Sequence, residues 1–231
     1  MYIQDEGPKS PLYTRMSIEL LGYEYLGQAT DNSAQRVTLN TTRGPIEGIY
    51  HEPMHSESFA VVWASGARGG FDGPSNAIYA DLAEYFAESN IASFRVNYRH
   101  PANLDESTLD ILVAVWHMAN LGFSKVALVG HSFGGGVVLS VSRYTTHVRA
   151  VAVLASQTDG AEEAVLLNGR PILVVHGEAD AVLPVANAQT IYDWSSNPKE
   201  LVTFPQGGHG LRECPEELRT LLKDWVVKVL I

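Results

Sequence analysis

A chain of 231 residues, 45% hydrophobic and 18% charged, has the balance of a folded globular protein with a sizeable core, and that balance excludes disordered and fibrous classes. Sixteen Lys and Arg stand against 26 Asp and Glu, a formal charge of −10. Such a surface repels phosphate backbones and anionic membranes at long range, which argues against nucleic acid as a partner.

Residues Met1 to Ser10 are polar, carry Asp5 and Glu6, and lack the basic-then-apolar order of a signal peptide. No stretch reaches the ~18 apolar residues that span a bilayer. A soluble, cytoplasmic protein without a membrane partner is expected. Two strand-like runs follow, Ser17–Leu26 and Arg36–Tyr50, separated by the turn-rich Thr30–Ala34. The second contains Thr42-Arg43-Gly44-Pro45, which reads as a hairpin turn. Residues 1–58 are thus expected to supply an antiparallel edge, and 59–231 a βα core, within one domain.

From Phe59 onward apolar strands alternate with helical patterns, the signature of βαβ units and a parallel sheet. The expected strands are Phe59–Ala64, Ile91–Tyr98, Lys125–Gly130, Val148–Ala155, Ile172–His176 and Glu200–Phe204. Their continuous apolar runs fit a sheet covered on both faces. The expected helices are Asn76–Ser89, Leu104–Leu121, Gly134–Tyr144, Val185–Trp194 and Glu216–Val229, each with apolar residues at helical spacing. No internal repeat or low-complexity segment interrupts them. The fold class is therefore α/β, a mostly parallel doubly wound sheet with an antiparallel N-terminal edge.

The sharpest signal is Gly130-His131-Ser132-Phe133-Gly134, a G-x-S-x-G placed between the buried strand Lys125–Gly130 and a helix. A nucleophile on a tight strand-to-helix turn needs flanking residues without side chains, hence Gly130 and Gly134. The helix that follows aims its first N–H groups at developing negative charge. Gly135 and Gly136 allow close packing of that helix. A glycine-rich turn can also hold a phosphate, but no Gly-Lys-Ser/Thr follows here, and no G-x-G-x-x-G stands at the first parallel strand.

A serine hydroxyl needs a base, and the base needs its tautomer set by a third group. Downstream of Ser132 lie His147, His176 and His209. His147 sits at a helix end near Arg149, where a solvated or capping role is expected. His176 ends a strand and should bond the loop behind the acid. His209, in Gly207-Gly208-His209-Gly210 between the last strand and the last helix, is the expected base. The acid should stand just past the strand Ile172–His176, at the carboxyl edge where open α/β sheets carry their sites. Asp180 fits; Glu178 and Asp159 are its alternatives. Cys214, the one cysteine, excludes an intrachain disulfide, fits a reducing compartment and lies outside any nucleophile setting.

Acyl transfer also needs two donors for the oxyanion. One is expected at the backbone N–H of Phe133. The other is expected at Ala67, with Gly66 as the near alternative, in the loop Ala64-Ser65-Gly66-Ala67-Arg68-Gly69-Gly70.

The Ser132, Asp180, His209 order on this strand pattern resembles the α/β-hydrolase superfamily over about Phe59 to Ile231. Within it the chain looks most like small dienelactone-hydrolase-like proteins with serine in place of their usual cysteine, and like small carboxylesterases and acyl-thioesterases. Where the usual motif has His-Gly at the oxyanion loop, this chain has Ser65-Gly66. The resemblance implies hydrolysis of carboxylic esters without a metal or organic cofactor.

Only about 15 residues separate Ser156 from Ile172, where larger esterases place a lid. One short helix, Ala161–Leu167, fits there and a cap domain does not, so an open, shallow site is expected. Arg68, Arg99 and His100 should lie at the carboxyl edge, where a guanidinium can hold a substrate carboxylate, although bracing of the loops is the commoner use of such residues. The expected partner is thus a small-molecule ester, an anionic one being favoured by a guanidinium at that edge. Thioester hydrolysis and acyl transfer use the same residues, and a non-catalytic ligand- or partner-binding homologue is the alternative from another class.

Overall fold

The computed structural model describes residues 17–29, 34–55 and 58–231. The Met1–Ser10 segment and nearly all of the turn at Thr30–Ala34 lie outside the described residues. Among the described residues nine strands form one sheet in the order β1-β2-β3-β5-β4-β6-β7-β8-β9. The first three are β1 Leu20–Gln28, β2 Ala34–Thr41 and β3 Ile46–His51. They pair antiparallel, and β3 joins β5 (Ala92–Asn97) antiparallel as well. The N-terminal strands are therefore an edge of the main sheet. The β2–β3 turn is the one predicted: Gly44 has φ 106, and its N–H donates to the Thr41 carbonyl at 3.2 Å.

Beyond β5 all pairing is parallel, through β4 (Phe59–Ala64), β6 (Lys125–His131), β7 (Val148–Leu154), β8 (Ile172–Gly177) and β9 (Lys199–Phe204). Helices α2 (Leu104–Asn120), α3 (Phe133–Ser142) and α4 (Ala186–Trp194) cover one face, where Val62, Phe94, Leu112, Val137, Val153 and Ile191 pack together. Helices α1 (Pro74–Glu88) and α5 (Pro215–Leu230) cover the other, around Trp63, Phe86, Val129, Leu173, Leu222 and Trp225. Both faces being covered explains why the central strands read as unbroken apolar runs. Each fully buried aliphatic side chain contributes roughly 1.5–3 kcal/mol.

Two features position the site. The connection from β7 to β8 holds one 3₁₀ turn, Ala161–Leu167, and no cap domain stands over the carboxyl edge among the described residues. The start of α1 departs from the predicted Asn76. Ser75, Asn76 and Ala77 take φ 49, 56 and 69, a left-handed turn ahead of the regular helix. Its tether is tertiary: Ser75 N–H donates to the Gly210 carbonyl at 2.8 Å, one residue from His209.

Candidate active site

Strand β6 ends at His131, and Ser132 follows with φ 58 and ψ −118. A non-glycine residue there carries about 1–3 kcal/mol of backbone strain and persists only where its surroundings hold it. They do. Ser132 N–H donates to the Leu154 carbonyl at 2.9 Å, and the Ser132 carbonyl accepts from Gly135 N–H at 3.1 Å and Gln157 N–H at 3.3 Å. A methyl on Gly130 would stand 2.1 Å from the Gly134 carbonyl oxygen, and one on Gly134 would stand 2.4 Å from that of Ser65. Gly135 and Gly136 face Ser156 and Asp159 as closely, at 2.2 and 2.1 Å. The glycines of the motif are thus required by contact as well as by turn geometry.

Ser132 Oγ lies 3.0 Å from His209 Nε2, and His209 Nδ1 lies 2.8 Å from Asp180 Oδ2. The predicted trio is brought together in one hydrogen-bonded line at the carboxyl edge. A close approach makes this possible: a methyl on Gly177, the last residue of β8, would meet the Gly207 carbonyl at 2.0 Å, so the loops after β8 and β9 touch backbone to backbone. Asp180 has a fully buried side chain, whereas that of His209 is 22% exposed, so the carboxylate is sealed beneath an imidazole that is open to solvent.

Burial by itself raises the Asp180 carboxyl, but the bonds it accepts outweigh that and hold it below the ordinary carboxylate value. Those bonds are Val182 N–H at 2.8 Å and Leu183 N–H at 2.9 Å on Oδ1, with His209 on Oδ2. An ionised Asp180 accepts a hydrogen bond from His209 Nδ1–H, which keeps the proton on Nδ1 and leaves Nε2 bare toward Ser132, the tautomer a base requires. His176, fully buried, sets Nε2 3.2 Å from both Asp180 Oδ2 and the Leu183 carbonyl, which is the bracing of the acid loop expected of it.

The alternatives separate by geometry. Glu178 turns to β9, accepting from Thr203 Oγ1 at 2.7 Å. Asp159 is exposed on the loop after β7, and its carbonyl accepts from Gln157. His147 precedes β7 at the amino edge, opposite the site. Cys214 is buried, and burial pushes its thiol up to about 11.

Phe133 is the first residue of α3, so its N–H has no acceptor within the helix. The loop after β4 runs beside Ser132: a methyl on Gly66 would stand 3.7 Å from Ser132 Cβ, and Ala67 next to it is exposed. Arg68 and His100 are exposed, and Arg68 meets no carboxylate among the described residues. Arg99 differs from the expectation of a guanidinium free for substrate. Its side chain is 4% exposed and is consumed by Asp110 at 2.5 Å, by Glu106 at 3.0 Å and by the Arg43 carbonyl at 2.9 Å. Both carboxylates lie on α2, where the buried cation meets paired charge. It braces the loops.

One residue of the site escaped the order-of-chain argument, which looks for histidines after the nucleophile. His131, in the motif itself, has Nε2 2.9 Å from the His209 carbonyl oxygen. The available signal was its adjacency to Ser132. Among the described residues no group of three or more His, Cys, Asp or Glu is placed to hold a metal ion, and no helix is long and apolar enough to cross a membrane.

The sheet order, the strand-to-helix turn at Ser132 and the helices on both faces define an α/β-hydrolase fold. Within that class, the chain belongs to the dienelactone hydrolase family, whose model matches residues 67–217. It is 25% identical over 160 residues to the uncharacterized protein YfhR of Escherichia coli strain K12, a match covering 55% of this chain and 56% of that protein. The chain thus spans a little over half the length of the curated relatives it matches. Among solved structures it resembles a dienelactone hydrolase from Anabaena variabilis (TM-score 0.72, 18% identity, covering 87% of this chain and 100% of the other). It also resembles an esterase domain from Rhodothermus marinus (TM-score 0.71, 17% identity, 86% and 100%). A cold-adapted esterase from an Arctic intertidal metagenomic library gives TM-score 0.75 at 13% identity, covering 90% and 100%. At these identities the likeness speaks for the fold.

Proposed function

We propose that the chain is a serine hydrolase that cleaves small carboxylic esters through an acyl-enzyme on Ser132. The observation that carries this reading is the unbroken Asp180–His209–Ser132 line, 2.8 and 3.0 Å, beneath an uncapped sheet edge. In the first half-reaction His209 Nε2 takes the Ser132 hydroxyl proton as Oγ attacks the ester carbonyl, and returns it to the leaving alcohol as the tetrahedral intermediate collapses. Water then enters, His209 takes its proton, and the acyl group departs as carboxylic acid with the proton returned to Ser132. Asp180 stays ionised and stabilises the imidazolium of each step. The Phe133 and Ala67 N–H groups are the proposed oxyanion donors; loss of one such donor typically costs about 100- to 1000-fold in rate.

The open edge favours small substrates, and the exposed Arg68 is the guanidinium left to favour an anionic ester, with His100 a further exposed polar group. No metal or organic cofactor takes part in this scheme. Its single, buried cysteine fits a cytoplasmic setting.

Intact-mass measurement after treatment with a fluorophosphonate tests the reading: one adduct is expected on the wild type and none on Ser132→Ala. Absence of an adduct on the folded wild type would favour a non-catalytic binding protein. Alcohols or thiols added to an ester assay separate hydrolysis from acyl transfer by the products formed.

A further inference from the structure

His131 stands next to Ser132 in the chain, yet its side chain reaches the opposite arm of the site. Its Nε2 meets the His209 carbonyl oxygen at 2.9 Å, and the two rings sit 5.0 Å apart at 45°. A carbonyl only accepts, so Nε2 of His131 must carry the proton and Nδ1 is bare. Burial pushes this imidazole down to about 4, which keeps it neutral and in that tautomer near neutral pH.

The loop around His209 needs an anchor. Gly207, Gly208 and Gly210 flank the base, and glycine carries the largest backbone freedom of any residue. The neighbouring peptides are tied to other elements: the Gly207 carbonyl accepts from Ala179 N–H at 3.0 Å, Gly208 N–H donates to Glu213 at 2.9 Å, and the Gly210 carbonyl accepts from Ser75 N–H. These ties hold the loop to the loop after β8, to itself and to α1. The carbonyl of His209 is held by the residue adjoining the nucleophile, so one imidazole spans from the Ser132 turn to the peptide of the base.

We propose that His131 is a positioning residue whose Nε2–H···O=C bond to His209 holds the base in register with the Ser132 hydroxyl. The proposal rests on the reading of Ser132 and His209 as nucleophile and base, and His131 acts through His209. Displacing a reacting group by ~1 Å can cost about 100-fold in rate. A loop of glycines released at the base's own carbonyl has that freedom.

The experiment compares His131→Leu, which keeps apolar bulk and loses the donor, with His131→Gln, whose amide N–H extends about as far as Nε2. The readouts are kcat and KM on p-nitrophenyl acetate, the rate of fluorophosphonate attachment to Ser132, and the melting temperature. For His131→Leu, kcat and the attachment rate should both fall roughly 10- to 100-fold with KM near the wild-type value. His131→Gln should recover most of the loss. A wild-type rate in His131→Leu overturns the proposal. Equal losses in both variants overturn it too, because the ring's packing and not its donor would then matter. Should His131→Leu fail to fold, nitrogen-15 spectra of the wild type read the tautomer directly, and a proton on Nδ1 of His131 overturns the assignment. A wild type that takes up no probe at Ser132 sinks the parent reading and this one together; a reactive wild type beside an equally reactive His131→Leu overturns this proposal alone.

Discussion

Ser132 occupies a backbone position that admits no methyl at its flanks, because Gly130 and Gly134 face carbonyl oxygens at 2.1 and 2.4 Å from where a Cβ would stand. Gly130→Ala should therefore force the turn apart and cost about 1–3 kcal/mol, read as a lower urea midpoint, with fluorophosphonate attachment slowed as well. Asp180→Asn keeps the shape and removes the charge that selects the His209 tautomer; a drop in kcat of roughly 10⁴-fold is expected in an ester assay. A small effect would mean that another group orients the base. Cys214, buried with its thiol raised to about 11, should resist Ellman's reagent in the native state and react once unfolded. At this scale the sequence was most readable where a residue stands at the carboxyl end of a strand. Ser132, Asp180 and His209 do so; chain order sets aside His147, which precedes both candidate acids, whereas Asp159 stands in an allowed place and is set aside by geometry alone. His131 was not readable, since its partner is a backbone carbonyl in a loop whose path depends on Gly177 and Gly207 meeting.

Between elements, the seam of β5 with α2 carries buried charge. Arg99 follows β5 and pairs with Asp110 and Glu106 of α2, and Glu106 also meets Arg43 of the β2–β3 turn. Burial raises the Asp110 carboxyl despite the Arg99 bonds that lower it, so the pair depends on its geometry. Asp110→Ala leaves the buried guanidinium of Arg99 with Glu106 as its one carboxylate and should cost about 1.5–3 kcal/mol, a fall of roughly 5–10 °C in melting temperature. Arg99→Ala should lower stability without changing the ratio of carboxylated to neutral ester hydrolysis, whereas Arg68→Ala should lower that ratio if the anionic preference holds. One chain without its partners in view gave Arg99 the position of a substrate cation; only the packing of α2 supplies the carboxylates that consume it. The left-handed start of α1 was hidden for the same reason, since its tether is Gly210, 135 positions away in the chain.

The same seam has a pH consequence. His117 of α2 lies between Tyr23 of β1 and Phe94 of β5, with ring centroids at 4.7 and 5.6 Å, and burial depresses it from 6.5 to about 4. The unfolded chain then takes its proton first. The stabilisation from a neutral His117 is complete above about pH 6.5 and is lost as the pH falls toward 4, on the order of 1–3 kcal/mol. His131 contributes in the same direction. Urea midpoints at pH 7 and pH 4.5 should show the loss, and His117→Phe should remove part of it; an unchanged slope would refute the assignment to His117.

Over the whole molecule, layer order was legible because strand and helix periods alternate without interruption from Phe59 onward and both sheet faces are covered. Among the described residues no cap stands over the carboxyl edge, because the β7–β8 connection is too short for one. If the uncapped edge sets selectivity, kcat/KM on p-nitrophenyl butyrate should exceed that on the dodecanoate, and the reverse order would point to an apolar acyl channel. The order of the strands has a further consequence in time. Ser132 leaves β6, Asp180 follows β8, and His209 follows β9, the outermost parallel strand, 77 residues after the serine. On a ribosome, the base emerges some 4 to 15 s behind the serine, at roughly 5–20 residues per second. On the proposed reading, until the outer strand is laid against the sheet the nascent chain would carry a chemically silent hydroxyl, and a polypeptide broken off early would be an inert fragment instead of an unguarded reagent.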